Sequence, residues 1–362
     1  MTLRNTPLVF VGTYTEQEGS ESKGIYVFRM DSASGDLTFE NAVEGISNPS
    51  YLDFHPGHNI LYAVNEVQAF AGKTGGGVSA FSIDSGTPEV LNQQPSHGTD
   101  PCHISVEQTG RFALVANYSS GSVAMFPIQP DGQLGPATDV VQHSGSSVHP
   151  ERQASPHAHC ILPDPTNRFA IAVDLGLDKF LVYEMDLEKG KLNKHAEVKV
   201  QPGAGPRHLA FHPTGKFAYL VNELNSTLIG YRYHAESGSF EELQTVSALP
   251  GDFTGESLCA AIKVSPGGSF LYASNRGHDS IVCFRIDENT GMLTYRSHTS
   301  TGGKEPRDFA IDPSGNFLLV ANQKSHRILT FRIDGQSGKL TRTGHELEVS
   351  MPVCLKFASP SL

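Results

Sequence analysis

The chain has 362 residues and carries 27 Lys plus Arg against 38 Asp plus Glu, so its formal net charge is −11. This acidic balance argues against nucleic acid or an anionic membrane surface as the main partner. Charged residues make up 18% and hydrophobic residues 38% of the chain, with 36 Gly and 22 Pro. That composition excludes a disordered tail or a coiled coil and indicates many turns.

The N-terminal sequence MTLRNTPLVFVGTYT lacks the long apolar run of a signal peptide, and no apolar stretch elsewhere reaches membrane-spanning length. The five cysteines include no CxxC pair, so they do not suggest a disulfide framework or a zinc site. We therefore expect a cytoplasmic protein that works without membrane or nucleic acid.

Similar segments recur along the chain, each an alternating strand, a turn rich in Pro and Gly, and a strand of β-branched and aromatic residues. YLDFHPGHNILYAVNE from Tyr51 and HLAFHPTGKFAYLVNE from His208 are two clear copies. The turn positions lie 47 to 57 residues apart and are Pro56, Gln108, Pro165, Pro213, Pro266 and Pro313. A second pair of strands with a hairpin turn follows each copy. Each repeat is therefore four strands, the size of a propeller blade.

The two ends of the chain supply one further blade. MPVCLKFASP matches the first strand and turn, with Pro360 at the turn position, and LVFVGTYT and KGIYVFRMD match the following strands. The sequence thus predicts an all-β fold, a seven-bladed β-propeller forming a single domain over 1–362, with its last blade closed by N- and C-terminal strands. The absence of Trp excludes a standard WD40 repeat.

The repeat allows the blades to be compared with one another. Positions that recur in every blade are expected to serve the scaffold. Nine residues after each turn position stand Asn65, Asn117, Asp174, Asn222, Asn275 and Asn322. A central metal site is one interpretation, but amides that satisfy turn backbone groups at strand ends explain the recurrence better.

Two other positions vary from blade to blade and are candidates for function. The position after the amide carries Glu66, Tyr118, Leu175, Glu223, Arg276 and Gln323. The position six residues before the turn carries Ser50, Cys102, His159, Arg207, Ala260, Arg307 and Cys354. Both columns flank the inner strands of a propeller, so we expect them to open toward the central channel on one face.

The charged members of these columns suggest a catalytic site. They are His159, Arg207, Glu223, Arg276 and Arg307, with Glu66 opposite, and the neighbours that can join them are His103, His157, His208 and Lys304. Guanidinium groups suit a carboxylate or a phosphate, and a His and a Glu supply acid–base chemistry. The alternative is a solvated network of ion pairs, for example between Arg207 and Glu223. We favour catalysis because such charges are costly to gather in one cleft otherwise.

Other chemistries have weaker support. His157 and His159 lack a clear third zinc ligand, so no metal and no other cofactor is expected. There is no GxSxG motif for a serine hydrolase. Cys102 is more readily explained as a buried inert thiol than as a nucleophile. The Gly-Lys-Thr sequence at 72–74 lacks the upstream Gly of a phosphate loop. The 135–156 insertion is either a lid or a disordered surface loop.

Four segments resemble the seven-bladed propeller lactonase family. They are GTYT with KGIYVFRMD, SPHAHCILPDP, GPRHLAFHPTGKFAYLVNEL and SNRGHDSIVCFRID. The family contains bacterial 6-phosphogluconolactonases and fungal carboxy-cis,cis-muconate cyclases, and the resemblance runs from residue 8 to about residue 358. In the cyclase branch the functional residues are a His, two Arg and a Glu. By motif these fall on His159, Arg207, Arg276 and Glu223.

The resemblance implies hydrolysis of 6-phospho-D-glucono-1,5-lactone to 6-phosphogluconate, a step of the pentose phosphate pathway. Water attacks the carbonyl, Glu223 or His159 is the base, and Arg207 and Arg276 stabilise the oxyanion. Arg307 and Lys304 are expected to hold the phosphate, and further substrate contacts are assigned to His157, His103 and Glu66. A carboxy-cis,cis-muconate cycloisomerase and a non-catalytic binding propeller are the alternatives. We expect a monomer or a weak homo-oligomer.

Overall fold

The computed structural model describes residues 6–84 and 87–358, and the regular secondary structure in them is almost entirely β-strand. The strands of the first half are β1 (Leu8–Thr13), β2 (Gly24–Met30), β3 (Leu37–Glu44), β4 (Leu52–Phe54), β5 (Ile60–Asn65), β6 (Ala69–Phe70), β7 (Lys73–Thr74), β8 (Gly77–Ser82), β9 (Glu89–Pro95), β10 (Pro101–Val106), β11 (Phe112–Asn117), β12 (Ser122–Pro127), β13 (Asp139–Gln142), β14 (Ala158–Pro163), β15 (Phe169–Asp174), β16 (Lys179–Asp186) and β17 (Lys191–Lys199). The strands of the second half are β18 (Pro206–Phe211), β19 (Phe217–Asn222), β20 (Thr227–His234), β21 (Ser239–Ser247), β22 (Leu258–Val264), β23 (Phe270–Arg276), β24 (Ser280–Ile286), β25 (Leu293–Ser300), β26 (Pro306–Ile311), β27 (Phe317–Asn322), β28 (Arg327–Ile333), β29 (Leu340–Glu348) and β30 (Pro352–Phe357).

These strands form the seven blades of a β-propeller. The described residues contain seven four-stranded sheets, of which one has the order β4-β5-β8-β9 and five use four consecutive strands from β10 to β29. The predicted turn prolines lie between the first and second strands of their blades, as Pro56 does between β4 and β5. The Gly-Lys-Thr sequence at 72–74 lies in the small hairpin β6–β7.

The remaining blade is built from both ends of the chain, as predicted. Its order is β3-β2-β1-β30, and β30 runs antiparallel to β1 with Lys356 opposite Phe10. The predicted turn residue of this blade, Pro360, lies outside the described residues.

In each blade the inner strands are buried and the outer strand is half-exposed. In β11 and β27 every residue is buried, because their Val, Leu, Phe and Ala side chains cover both faces of the sheet. In β17 the KLNKHAEVK sequence is mostly exposed, with Leu192 buried. The outer strand therefore faces solvent, and the first strand of each blade lies at the opposite edge of its sheet.

Two compact units can be distinguished within the described chain: residues 6–41, 208–234 and 240–358, and residues 42–84, 87–207 and 235–239. In the first unit, Phe217 and Tyr219 of one blade pack with Leu271 and Phe284 of the next. In the second, Phe112 and Leu114 pack in the same way with Ala170 and Tyr183. Adjacent sheets thus bury their apolar faces against each other. A single domain over 1–362 stays a prediction.

The recurring amides are structural, as the sequence comparison favoured. Asn65 Nδ2 donates 3.0 Å to the carbonyl of Ser47, and Asn275 Nδ2 donates 2.9 Å to that of Ala248. Asn117 and Asn322 make the equivalent bonds. Each amide ties the end of a second strand to the connection from the preceding blade, which satisfies a buried carbonyl. None of the helices in the described part of the chain is long and apolar enough to cross a bilayer.

Candidate active site

Three of the residues selected from the repeat are β-bulge residues of their first strands. The pairing of β14 with β15 passes from Ala158 directly to Cys160, so His159 is the bulged residue of β14. Cys102 of β10 and Arg307 of β26 are passed over in the same way. A bulge turns a side chain out of the regular alternation of a strand, and bulges are frequent beside active sites. The residue six positions before the turn can therefore differ in chemistry from blade to blade, because a bulged residue is not needed for the regular packing of its strand. The strands around it keep the same residue types.

His159 is buried, with 5% of its surface exposed. Its Nδ1 lies 3.6 Å from Cys102 Sγ, and its carbonyl oxygen lies 3.5 Å from the same sulfur. The edge of its ring meets the Tyr118 ring, with 5.3 Å between ring centroids. The imidazole is thus held on two sides, as an acid–base group must be for its proton transfer to be directed.

Tyr118 joins His159 to two further groups. Its ring stacks on His157 at 4.6 Å with an interplanar angle of 19°, and His157 Nδ1 lies 3.1 Å from the Tyr118 carbonyl oxygen. Arg152 Nη2 donates 3.1 Å to the Tyr118 hydroxyl. Tyr118 stood in the variable column, but its role as the centre of this cluster was not predicted.

The insertion that carries Arg152 is ordered, so the interpretation as a disordered loop is wrong. His143 Nδ1 lies 2.6 Å from Asp174 Oδ2, and both side chains are buried. Tyr183 Oη lies 3.1 Å from the other ring nitrogen of His143. Asp174 stands where other blades have Asn. In those blades the Asn side chain donates to a backbone carbonyl, whereas here the Asp174 carboxylate contacts His143 of the insertion and holds the insertion in place.

Glu223 and Arg276 form a buried ion pair in the other unit. Arg276 Nη2 lies 2.9 Å from Glu223 Oε2, and the two residues expose only 8% and 3% of their surface. The same Nη2 donates 3.2 Å to the Cys259 carbonyl oxygen. Arg276 Nε is buried and has no hydrogen-bond acceptor among the described residues. Burying this pair has a large desolvation cost, and an unsatisfied buried donor calls for an explanation, for which a reaction site is the simplest.

Arg307 is half-buried on β26. Its guanidinium carbon lies 5.4 Å from the centre of the Tyr14 ring, a cation–π contact. Tyr14 is itself buried, and its amide donates to the Met351 carbonyl oxygen. Tyr14 was not predicted from the sequence. Lys304 is exposed, and its backbone amide donates 2.6 Å to Ser325 Oγ.

The other predicted residues lie in the strands or directly beside them. Glu66 is half-buried and its carboxylate accepts a hydrogen bond from the Ser50 hydroxyl. His103 stacks on Tyr51 at 4.2 Å, and its two ring nitrogens lie near Cys160 Sγ and the Ile161 amide. Arg207 and His208 are consecutive residues of β18, and both are buried.

The comparisons with known proteins agree with this fold. A family model described as "Lactonase, 7-bladed beta-propeller" matches residues 8–357. The chain is 40% identical to a Bacillus subtilis protein named 6-phosphogluconolactonase over 305 residues, which is 84% of each chain. It is 36% identical to a Formosa agariphila protein of the same name over 311 residues, 84% of this chain and 86% of that protein.

Solved structures are similar over nearly the whole chain. A crystal structure titled as a putative 6-phosphogluconolactonase from Bacteroides fragilis superimposes with a TM-score of 0.91 at 38% identity and covers 99% of both chains. A structure titled as a periplasmic gluconolactonase from Pseudomonas aeruginosa has a TM-score of 0.92 at 38% identity and covers 98% of this chain and 99% of that one. The two names differ in whether the lactone carries a phosphate.

Proposed function

The chain belongs to the seven-bladed β-propeller lactonase family, and on that premise we propose that it hydrolyses 6-phospho-D-glucono-1,5-lactone to 6-phosphogluconate. It is a lactonase, a hydrolase of cyclic esters. The observation that carries the proposal is the buried Glu223–Arg276 pair, with a carboxylate and an unsatisfied guanidinium N–H held together. The Glu223 carboxylate is suited to accept a proton from water, and the Arg276 N–H is suited to bind an oxyanion.

The proposed reaction is attack of water on the lactone carbonyl carbon. The carbonyl oxygen becomes an oxyanion, which receives the Arg276 Nε hydrogen bond and, by the family motif, that of Arg207. The bond between the carbonyl carbon and the ring oxygen then breaks, and the ring oxygen takes a proton to become a hydroxyl. Glu223 or His159 removes the proton from water, and the other of the two supplies the proton to the leaving oxygen.

The ion pair suits Glu223 to the role of base. Arg276 Nη2 lies 2.9 Å from Glu223 Oε2 and holds the carboxylate in one orientation, as directed proton transfer requires. His159 suits proton delivery, because its imidazole is fixed between Cys102 and Tyr118. The pH–rate profiles of Glu223→Gln and His159→Asn on the phosphorylated lactone test this division of roles, since loss of the base should remove the acidic limb and loss of the acid the basic limb.

The proposal is tested by following 6-phosphogluconolactone hydrolysis, with spontaneous hydrolysis subtracted and unphosphorylated gluconolactone assayed beside it. Arg276→Lys keeps the charge but removes Nε as a planar donor, and we expect a loss of about 10²-fold or more in kcat. Arg285→Ala is the matched control, because Arg285 is an exposed arginine of the next strand, above the Phe270 ring. Full activity in both Arg276→Lys and Glu223→Gln would refute the site. No acceleration by the wild-type protein would redirect the search to carboxy-cis,cis-muconates.

The finer assignments are parts of the same proposal. All five cysteines are buried thiols rather than disulfides, which suits the reduced cytoplasm, and the product is an intermediate of the pentose phosphate pathway. Because the similar Pseudomonas structure is titled periplasmic, cell fractionation with an antibody to the protein is the test of location.

A further inference from the structure

We propose that Arg152, Tyr118 and His157 form a subsite for a phosphomonoester group on the substrate, away from the reacting carbonyl. The inference rests on the proposed function and deepens it, since it names the feature that selects a phosphorylated lactone. It also assigns a role to the 135–156 insertion.

The insertion is fixed firmly enough to position a binding group. Ser147 Oγ donates 2.5 Å to Asp178 Oδ2, and Gln153 Nε2 donates 2.9 Å to the Leu175 carbonyl oxygen. Gln153 is fully buried, although Gln is a residue type found mostly at the surface. Such a bonded, buried amide next to Arg152 makes the turn that carries the arginine rigid.

Two contacts then orient Arg152. Its backbone amide donates 3.2 Å to His149 Nδ1, and its guanidinium Nη2 donates 3.1 Å to Tyr118 Oη. This hydrogen bond fixes the guanidinium at the hydroxyl end of the Tyr118 ring. Guanidinium groups bind phosphate oxygens with two parallel hydrogen bonds.

Tyr118 sets the distance between Arg152 and the candidate acid–base group. The hydroxyl end of its ring holds Arg152, and its ring meets His159 at 5.3 Å. The separation is therefore on the order of one aromatic ring. In the phosphorylated lactone, one exocyclic carbon joins the phosphate to the ring that bears the carbonyl, so the two groups are spaced on the same scale.

His157 completes the subsite beside the phenol. Its ring lies flat against Tyr118 at 4.6 Å, and it is half-buried. Its Nδ1 donates to the Tyr118 carbonyl oxygen, which fixes the ring there, so the groups that can donate to the anion are the Arg152 guanidinium and the Tyr118 hydroxyl. By contrast, the guanidinium of Arg307, the arginine assigned to the phosphate from the sequence, lies against the ring of Tyr14, and Lys304 is exposed.

The kinetic test compares phosphorylated and unphosphorylated gluconolactone for the wild type, Arg152→Ala and Arg152→Lys. For Arg152→Ala we expect kcat/KM to fall about 10- to 100-fold on the phosphorylated lactone, the size of a lost charged hydrogen bond. On gluconolactone it should stay within about twofold, and Arg152→Lys should recover part of the loss. Arg111→Ala is the control, because Arg111 is an exposed arginine of the same unit whose ion pair is with Glu188. Equal losses on both lactones, or no loss on either, would overturn the subsite.

A binding test separates the subsite from the proposed reaction, because it needs no turnover. Calorimetric titration should show the wild type binding 6-phosphogluconate more tightly than gluconate, and Arg152→Ala binding the two alike. If the wild type hydrolyses neither lactone but keeps this phosphate preference, the proposed function fails and the subsite stands. If the wild type binds both acids alike, the subsite is wrong.

Discussion

The sulfur of Cys102 lies 3.6 Å from Nδ1 of His159, and each of these residues is the bulged residue of its own strand. The thiol is a weak hydrogen-bond donor, and its contact restrains the His159 ring at Nδ1, the ring nitrogen closer to the backbone. Because Nδ1 is held by this contact, we assign proton transfer to the other ring nitrogen, Nε2. Cys102 is therefore a positioning residue for the proposed acid–base group rather than a nucleophile.

We predict that Cys102→Ala lowers kcat about threefold to tenfold, the size of one net hydrogen bond, and that Cys102→Ser recovers most of the loss because its hydroxyl can donate to Nδ1. The measurement is the steady-state rate on the phosphorylated lactone. Cys283→Ala removes a buried sulfur from the core of the other unit and should affect thermal stability but not kcat. A Cys102→Ala enzyme with wild-type kcat would show that the thiol does not position the ring.

We predict that the Glu223–Arg276 pair shows strong coupling in stability. Glu223→Ala leaves a buried guanidinium uncompensated and should reduce the free energy of unfolding by about 3–5 kcal/mol. The Glu223→Ala/Arg276→Ala double variant should lose clearly less than the sum of the two single variants. Urea denaturation of the four proteins measures this. Additive losses would mean that the two charges do not stabilise each other.

Glu107 is predicted to make the protein sensitive to acid. Burial raises the pKa of its carboxyl, but hydrogen bonds from Thr109, Asn167 and the Arg111 amide outweigh burial, so the pKa is lowered. A carboxyl with a lowered folded pKa contributes stability that is full above its ordinary value of 4.5 and is lost as the pH falls through the folded value. The stability difference between the wild type and Glu107→Gln should therefore be largest near pH 7 and shrink below about pH 4.

The measurement for Glu107 is the free energy of unfolding of both proteins as a function of pH. Glu188→Gln is the control. Glu188 is exposed, and its Oε1 lies 3.4 Å from Arg111 Nη1. An exposed ion pair of this kind contributes little to the free energy of unfolding. A difference between the wild type and Glu107→Gln that is constant with pH would contradict the prediction.

Gly176 is predicted to be required for the placement of the insertion. A Cβ at this position would lie 2.0 Å from the Ser155 carbonyl oxygen and 2.8 Å from the His157 amide nitrogen. Gly176→Ala must therefore displace backbone beside His157, and we expect about 1–3 kcal/mol of destabilisation together with reduced activity on the phosphorylated lactone. Gly267→Ala, where no atom lies within 4 Å of the added carbon, should change neither thermal stability nor activity appreciably.

The blade pattern was predictable because the scaffold repeats. Turn residues such as Pro56 and Pro313 recur at nearly constant spacing, and the amides that follow make the same hydrogen bond in several blades. Comparing the blades also selected His159, Glu223 and Arg276, since functional side chains depart from a repeat that the scaffold requires.

The rest of the site depends on information that the repeat does not hold. Tyr14 directly follows β1 as Tyr118 directly follows β11, but the turn residue from which its place in the repeat is counted, Pro360, lies at the other end of the chain, so a comparison made along the chain did not reach it. The structure pairs Glu223 with Arg276, a pair that the sequence did not offer, because contacts between side chains of different strands depend on where each strand ends. The bulge at His159 was also beyond sequence reasoning, since strand register is a property of two paired segments.

The pairing of β30 with β1 also has a consequence for synthesis of the chain. The blade that contains β1 lacks its first strand until Pro352–Phe357 has left the ribosome. Until then β1 is an open sheet edge that can pair with other chains. We infer that nascent chains are most prone to aggregation just before their last strand emerges, and that growth conditions which slow translation near the 3′ end of the message will reduce the yield of folded protein.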